Sequence, residues 1–199
     1  MYARLVSFTG AKDVDAGISY IRESVLPVIR EQKGFKGMSV SADRAGGVLV
    51  ALSLWETEAD RDASESALAK ARQQGVEIVG GTVTVETFEE AAAEVAKPPM
   101  PGSALMVRRI KMDPNKIDEN TAFFKNEIVP QIKTAPGFMA LRNFINRKTG
   151  EGVAGTVWMD ESTREAASRT ARERQSQGES RGVEFGEITY REIVISELP

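Results

Sequence analysis

Val25-Leu26-Pro27-Val28-Ile29, then Gly34-Phe35, then Val48-Leu49-Val50-Ala51-Leu52-Ser53-Leu54-Trp55 form a series that returns later in the chain. Pro27 recurs as Pro130, Gly34-Phe35 as Gly137-Phe138, and Trp55 as Trp158, each 103 positions on. Self-similarity at a fixed spacing means one structural unit built twice. The 199 residues therefore divide into a first domain over 1–97, a linker over 98–103 and a second domain over 104–199. The linker reading rests on Pro98-Pro99-Met100-Pro101-Gly102-Ser103, where prolines stop regular structure and glycine frees it.

Within each half the periodicities alternate. Ala3 to Phe8 reads as a strand, and Asp13 caps a helix whose apolar stripe is Ile18, Ile21, Val25 and Val28. Pro27 falls inside that stripe and should kink or restart it, because it lacks the N–H that continues the ladder. Lys36 to Asp43 and Val48 to Trp55 read as strands joined by Arg44-Ala45-Gly46-Gly47, which is hairpin turn chemistry. Both alternating faces of Val48 to Trp55 are apolar or small, so both should be covered. Thr57 and Asp60 resemble a capping box for a helix ending near Gln74, before Gly75, and Glu77 to Phe88 reads as the closing strand.

The second half repeats the order. It has a strand at Leu105 to Met112, a helix from Asp113-Pro114 to Thr134, strands near 138–147 and 152–159, a capping box at Ser162 and Glu165, a helix to about Ser176, a mobile loop over 175–182 and a strand at Val183 to Ile195. Each half is thus βαββαβ, the ferredoxin-like order, and the fold class is α+β.

Composition narrows the function classes. A net charge of −3 gives no basic footprint for nucleic acid. No apolar run approaches the roughly 20 residues of a membrane helix, and Met1-Tyr2-Ala3-Arg4 lacks the layout of a signal peptide, so a cytoplasmic location is expected. With no Cys and no His, thiolate nucleophiles and Cys- or His-ligated metals are excluded. Acid–base work would fall to Asp, Glu, Tyr, Lys or Arg. The acidic run Glu56, Glu58, Asp60, Asp62, Glu65 reads as a solvated, dipole-stabilised first turn rather than a metal cluster. Arg164, Arg169, Arg172 and Arg174, interleaved with Glu161, Glu165 and Glu173, read as a solvated helix laced by ion pairs.

A βαββαβ unit with a proline in its first helix, a following Gly-Phe and a third strand ending in Trp resembles the antibiotic-biosynthesis-monooxygenase-like domains of the dimeric α/β-barrel superfamily. The residues that carry this are Pro27, Gly34, Phe35 and Trp55, and again Pro130, Gly137, Phe138 and Trp158. The resemblance implies that the two ferredoxin-like units pack sheet to sheet as an α/β barrel within one chain, with a ligand pocket between the helices and sheet of each unit. It implies a cofactor-independent monooxygenase or isomerase of a small aromatic or quinone-like compound. The alternative is a non-catalytic small-molecule-binding or structural barrel, because Ala51 and Ala154 stand where cofactor-free relatives carry an asparagine, and no histidine is present to hold heme. No cofactor is expected, and the partners would be a small aromatic ligand and, as a homo-oligomer, further copies of the chain.

Mapped onto this sequence, the pocket residues implied are Trp55 with Tyr20 in the first half and Trp158, Thr156 and Phe123 in the second. Arg4 and Arg108, read as aligned residues of the opening strands, are candidates for an internal ion pair or for clamping a carboxylate or phenolate. Trp55 and Trp158 also read as core packing. The small residues Ala154, Gly155 and Thr156 leave more room in the second half, partly filled by Phe123, Phe124 and Phe144, so a site bounded by Arg108, Phe123 and Trp158 is expected there.

Overall fold

The structure, a computed structural model, describes residues 1–198, apart from the side chains of Arg172 and Glu173. The ion-pair reading at those two side chains lies outside the described residues. Helices and strands alternate as β1 (Tyr2–Thr9), α1 (Val14–Tyr20), α2 (Leu26–Arg30), β2 (Phe35–Asp43), β3 (Val48–Trp55), α3 (Glu58–Ala63), α4 (Glu65–Val79) and β4 (Thr82–Val95). The second series is β5 (Ala104–Lys111), α5 (Ile117–Phe123), α6 (Val129–Lys133), β6 (Phe138–Ile145), β7 (Glu151–Trp158), α7 (Glu161–Glu179) and β8 (Glu184–Glu197). The strands close into an antiparallel barrel in the order β1-β3-β2-β8-β5-β7-β6-β4, an α+β fold. The chain divides into two compact units, Met1–Thr87 with the segment from Glu192, and Phe88–Arg191.

In the first unit β3 is the central strand, flanked antiparallel by β1 and β2, and β2 pairs outward with residues 192–197 of β8. One face of β3 supplies Leu49, Ala51 and Trp55 to a core with Ile18, Leu26 and Ile29 from the first helix and Leu68 and Val79 from α4. In the second unit β7 is flanked by β5 and β6, and β6 pairs with residues 89–95 of β4.

The prolines act on the helices as their chemistry requires. Pro27 has no N–H to donate, and the turn Ile21–Val25 before α2 widens to a π turn; Phe124–Ile128 does the same before Pro130. Missing donors and widened turns of this kind go together. Gly34 and Gly137 follow with φ of +74° and +77°. A Cβ there would lie 2.6 Å from the Asp60 side chain or 2.5 Å from the Thr163 side chain, so the turn needs glycine twice over. A register shift at the start of β2 and of β6 then sets Phe35 against Trp55 and Phe138 against Trp158, edge to face at 5.6 and 5.7 Å.

Several sequence expectations are corrected. Gly75 does not end a helix: α4 runs on to Val79 and stops at Gly80, with φ of +72°, so Glu77 to Val79 are helical. Inside the helix Gly75 faces the Phe8 ring, which a Cβ would meet at 3.1 Å. Residues 175–179 are likewise helical, since α7 continues to Glu179. Its capping box is Asp160 with Thr163, not Ser162 with Glu165, as Thr163 N–H reaches Asp160 Oδ1 at 2.9 Å. The Thr57 cap holds, with Asp60 N–H donating to Thr57 Oγ1 at 3.0 Å.

Candidate functional site

Strand periodicity decides which side chains can share a site. Along β7, Ala154, Thr156 and Trp158 fall on one face. Cross-strand partners share that face, which adds Arg108 of β5 and Asn143 of β6 opposite Ala154, and Met106 opposite Thr156. Phe123, Phe124 and Ile128 cover them from the first helix of the unit, and Gln175 and Gly178 from α7. Between these layers lies a cavity of about 170 Å³.

The cavity wall is apolar with a few fixed polar groups. Trp158 is 1% exposed and donates its indole N–H to Thr156 Oγ1 at 2.9 Å. Arg108 is half-buried; its Nε donates to the Gly186 carbonyl at 2.8 Å, its Nη2 to Gln175 Oε1 at 2.6 Å, and its plane lies 4.8 Å above Phe185. Phe185 can approach α7 because Gly178 has no Cβ, which would fall 2.5 Å from the ring. Arg181 caps Phe123 at 4.4 Å while pairing with Glu119 at 2.6 Å and Asn120 Oδ1 at 3.2 Å. Asn143, 7% exposed, has its Oδ1 buried without a hydrogen-bond partner. Arg142, which also borders the cavity, forms an ion pair with Glu90 in which both side chains are more than nine-tenths buried.

The first unit has a smaller cavity, about 50 Å³, bordered by Arg4, Tyr20, Ala51, Ser53 and Leu68. Leu49 and Leu68 border it, where the second unit has Gly152 and Ala171 at the positions 103 later. Val40, fully buried, stands where the second unit has Asn143. Tyr20 donates its hydroxyl to the Ala71 carbonyl at 3.1 Å or to Gln74 Oε1 at 3.0 Å, and burial pushes its phenol above the ordinary tyrosine range. Trp55 is fully buried on Ser53 Oγ and Phe35 and does not border the cavity.

The two arginines do different things. Arg4, 3% exposed, donates to Ser64 Oγ at 2.8 Å and to the Arg61 carbonyl, and pairs with Glu65 at 3.3 Å rather than with Glu56 or Glu86. Burial lowers its pKa, opposed by the Glu65 charge. Nor are Arg4 and Arg108 equivalent positions: Arg4 faces Ser53 across the sheet, whereas Arg108 faces Ala154, the counterpart of Ala51. Arg108 therefore stands where the first unit has Val6, because one residue fewer separates β1 from its helix than β5 from its own.

Arg108, Phe123, Thr156 and Trp158 come together around one cavity, and Arg4 and Tyr20 around another. Phe144, expected to fill the larger one, does not border it, because it points to the face opposite Asn143. Asn143 was not read from the sequence. The available signal was an apolar-to-polar change between Val40 and its counterpart 103 positions on, at an inward-facing strand position. The acidic run makes local ion pairs, Arg61 with Glu58 at 3.0 Å and Asp62 at 2.8 Å among them, and no grouping of acids suited to a metal occurs among the described residues. No helix is long and apolar enough to cross a membrane among the described residues.

No family model matches the chain. An uncharacterized Mycobacterium tuberculosis protein is 27% identical over the whole of this chain and 89% of its own length. Among solved structures, a candidate monooxygenase from Fusobacterium nucleatum superposes with a TM-score of 0.71 at 14% identity, covering 98% of this chain and 92% of that one. An anthrone oxidase-like protein gives 0.68 at 15% identity over 98% and 92%. The fold is that of the monooxygenase-like, ferredoxin-type barrels related to antibiotic biosynthesis monooxygenases.

Proposed function

We propose that the chain is a cofactor-independent oxygenase of a small phenolic or quinol-like aromatic, held in the cavity bounded by Arg108, Phe123 and Trp158. The observation that carries this reading is the cavity itself: about 170 Å³, walled by aromatic and aliphatic groups, with polar atoms at a few points. An apolar cavity of about 150 Å³ holds a benzene ring, so the occupant is one substituted ring rather than a heme or a fused polycycle. The names of the solved neighbours, a candidate monooxygenase and an anthrone oxidase-like protein, support oxidation of an aromatic as the class of chemistry.

The chain's part would be to orient the ring and favour its ionised form. Arg108 and Arg181 put positive charge at the wall, where charge-assisted hydrogen bonds to a phenolate are strong. Dihydroxybenzene and O₂ would give a hydroxyquinone and water. One oxygen atom enters the ring, the other leaves with two hydrogens, and the substrate supplies all four electrons.

A second reading, a binding protein without catalysis, is favoured by one feature. Among the described residues bordering the cavity there is no Asp, Glu, His, Lys or Tyr to serve as a general base. Oxygen-electrode measurements on a panel of single-ring quinols in chelator-treated buffer separate the two. Protein-dependent uptake of one O₂ per quinol, with a hydroxyquinone formed and no hydrogen peroxide released, supports the oxygenase. Saturable binding of the same quinols, with uptake no faster than in buffer, replaces it by the binding protein.

A further inference from the structure

Asn143 is the point at which the cavity asks something specific of its occupant. It lies on β6 opposite Ala154 of β7, and Ala154 lies opposite Arg108 of β5, so one rung of the sheet carries Asn143, Ala154 and Arg108 on a single face. Neighbouring strands are about 4.8 Å apart, so the outer two backbones stand about 10 Å apart. Only the methyl group of Ala154 rises between them. That spacing suits a flat ring lying over Ala154 with one edge at Asn143.

The carboxamide oxygen of Asn143 is buried and accepts no hydrogen bond, although the residue is only 7% exposed. A buried acceptor left unmade is destabilising, and such groups in folded proteins are normally satisfied. The first unit resolves the equivalent position differently: Val40 is apolar, fully buried and part of the core. The hydroxyls behave in parallel. Ser53 accepts the Trp55 indole and donates back to the Arg4 carbonyl at 3.4 Å, Thr156 accepts the Trp158 indole, and each borders the cavity of its own unit. Asn143, which lines the larger cavity, thus carries an unpaired acceptor at the position where the first unit has an apolar side chain.

We infer that Asn143 is a specificity-determining residue that receives a hydrogen-bond donor, the O–H or N–H of a phenol, quinol or aniline-type ring, in the larger cavity. The inference rests on the reading of that cavity as a ligand site. A site built to bond a donor rejects the analogue that lacks it, because the analogue leaves the acceptor unpaired. Catechols, quinols and anilines are admitted on this basis, and alkylbenzenes or fully methylated ethers of the same shape are discriminated against.

The test compares 4-methylphenol with 1,4-dimethylbenzene, nearly identical in shape, by calorimetric titration of the wild type and Asn143→Val. The expected result is a preference for the phenol in the wild type that falls at least tenfold in Asn143→Val, with the hydrocarbon bound as well or better. Asn143→Thr, which keeps a hydroxyl oxygen, should retain part of the preference. The ligand-free melting temperature should rise in Asn143→Val by about 2–4 °C, as removal of an unsatisfied polar group predicts for a domain of this size. An unchanged preference, with both compounds still bound, overturns the role of Asn143 and leaves the cavity as a site. A melting temperature several degrees lower overturns it too, by showing that the carboxamide is satisfied within the fold. Binding of neither compound by the wild type overturns the cavity reading and the inference together.

Discussion

Trp158 donates its indole N–H to Thr156, two residues back on the same strand and face, at 2.9 Å. Trp55 makes the same bond to Ser53 at 3.0 Å. The two tryptophans are alike in burial and in their edge-to-face phenylalanine, yet only Trp158 borders a cavity.

Truncating them should therefore have separable effects. Trp55→Ala should cost about 3–5 kcal/mol of stability, the usual range for a buried aromatic, and leave ligand affinity in the second unit unchanged. Trp158→Ala should lower affinity for a single-ring phenol as well as stability. Thermal melts paired with calorimetric titrations decide this; loss of affinity confined to Trp55→Ala would move the site to the first unit.

Arg4 ties β1 to the start of α4 through Ser64, Glu65 and the Arg61 carbonyl. Arg4→Ala should cost about 1–3 kcal/mol by removing the buried hydrogen bonds to Ser64 Oγ and the Arg61 carbonyl. It should not alter binding in the second unit, because distant sites act additively. Denaturant titration measures the first effect, ligand titration the second.

Glu90 and Arg142 are a buried pair. Glu90→Ala should destabilise by about 3–5 kcal/mol because it removes a buried counter-charge of Arg142, whereas Glu90→Leu with Arg142→Met should recover most of that loss. A double-mutant cycle by urea denaturation reads the coupling. A double variant no more stable than Glu90→Ala would contradict it.

Asp60 sits in the first turn of α3 and Asp160 caps α7, and each carboxylate titrates below the ordinary aspartate range. For Asp60 the leading cause is the hydrogen bond from Thr57; for Asp160 it is the Thr163 backbone N–H. A carboxylate whose folded pKa is depressed adds stability above its unfolded pKa, about 4, and that stability is lost as pH falls through the folded pKa. Asp160→Asn keeps a cap acceptor but removes the titration. Its melting temperature should fall less than the wild type's between pH 5 and pH 2; equal slopes would show that Asp160 does not contribute.

Gly17 packs α1 against the sheet so closely that a Cβ would lie 2.4 Å from Val79 and 2.7 Å from Leu49. Gly155 has only ordinary contacts, the nearest at 3.7 Å. Gly17→Ala should lower the melting temperature despite its better helix propensity, while Gly155→Ala should be close to neutral. Differential scanning calorimetry of the two variants gives the comparison.

The parts of the fold that were legible in the sequence are those written in short-range chemistry. The hairpin turn before Gly47, the Thr57 cap, the helix-wide consequence of Pro27 and the doubly apolar β3 all follow from neighbouring residues. Gly75 misled because it looks like a helix stop, yet what it meets is the ring of Phe8, which is distant in sequence. The same limit applies to the site. The aromatic and small residues of β7 could be read as a recess, but the misalignment of Arg4 with Arg108 needed strand register to detect. Asn143 needed burial, because a single polar residue in an apolar strand has no periodic signature.

The first unit includes residues from Glu192 onward, which pair with β2, and these follow the entire second unit in the chain. During synthesis, at about 5–20 residues per second, β2 emerges and waits for residues 192–197 to follow the second unit out of the ribosome. Until then Met38 to Ala42 present an open row of backbone donors and acceptors, the kind of edge that captures other strands. The early part of the first unit is thus made long before its partner segment, and a chain cut short anywhere before Glu192 keeps an adhesive flank.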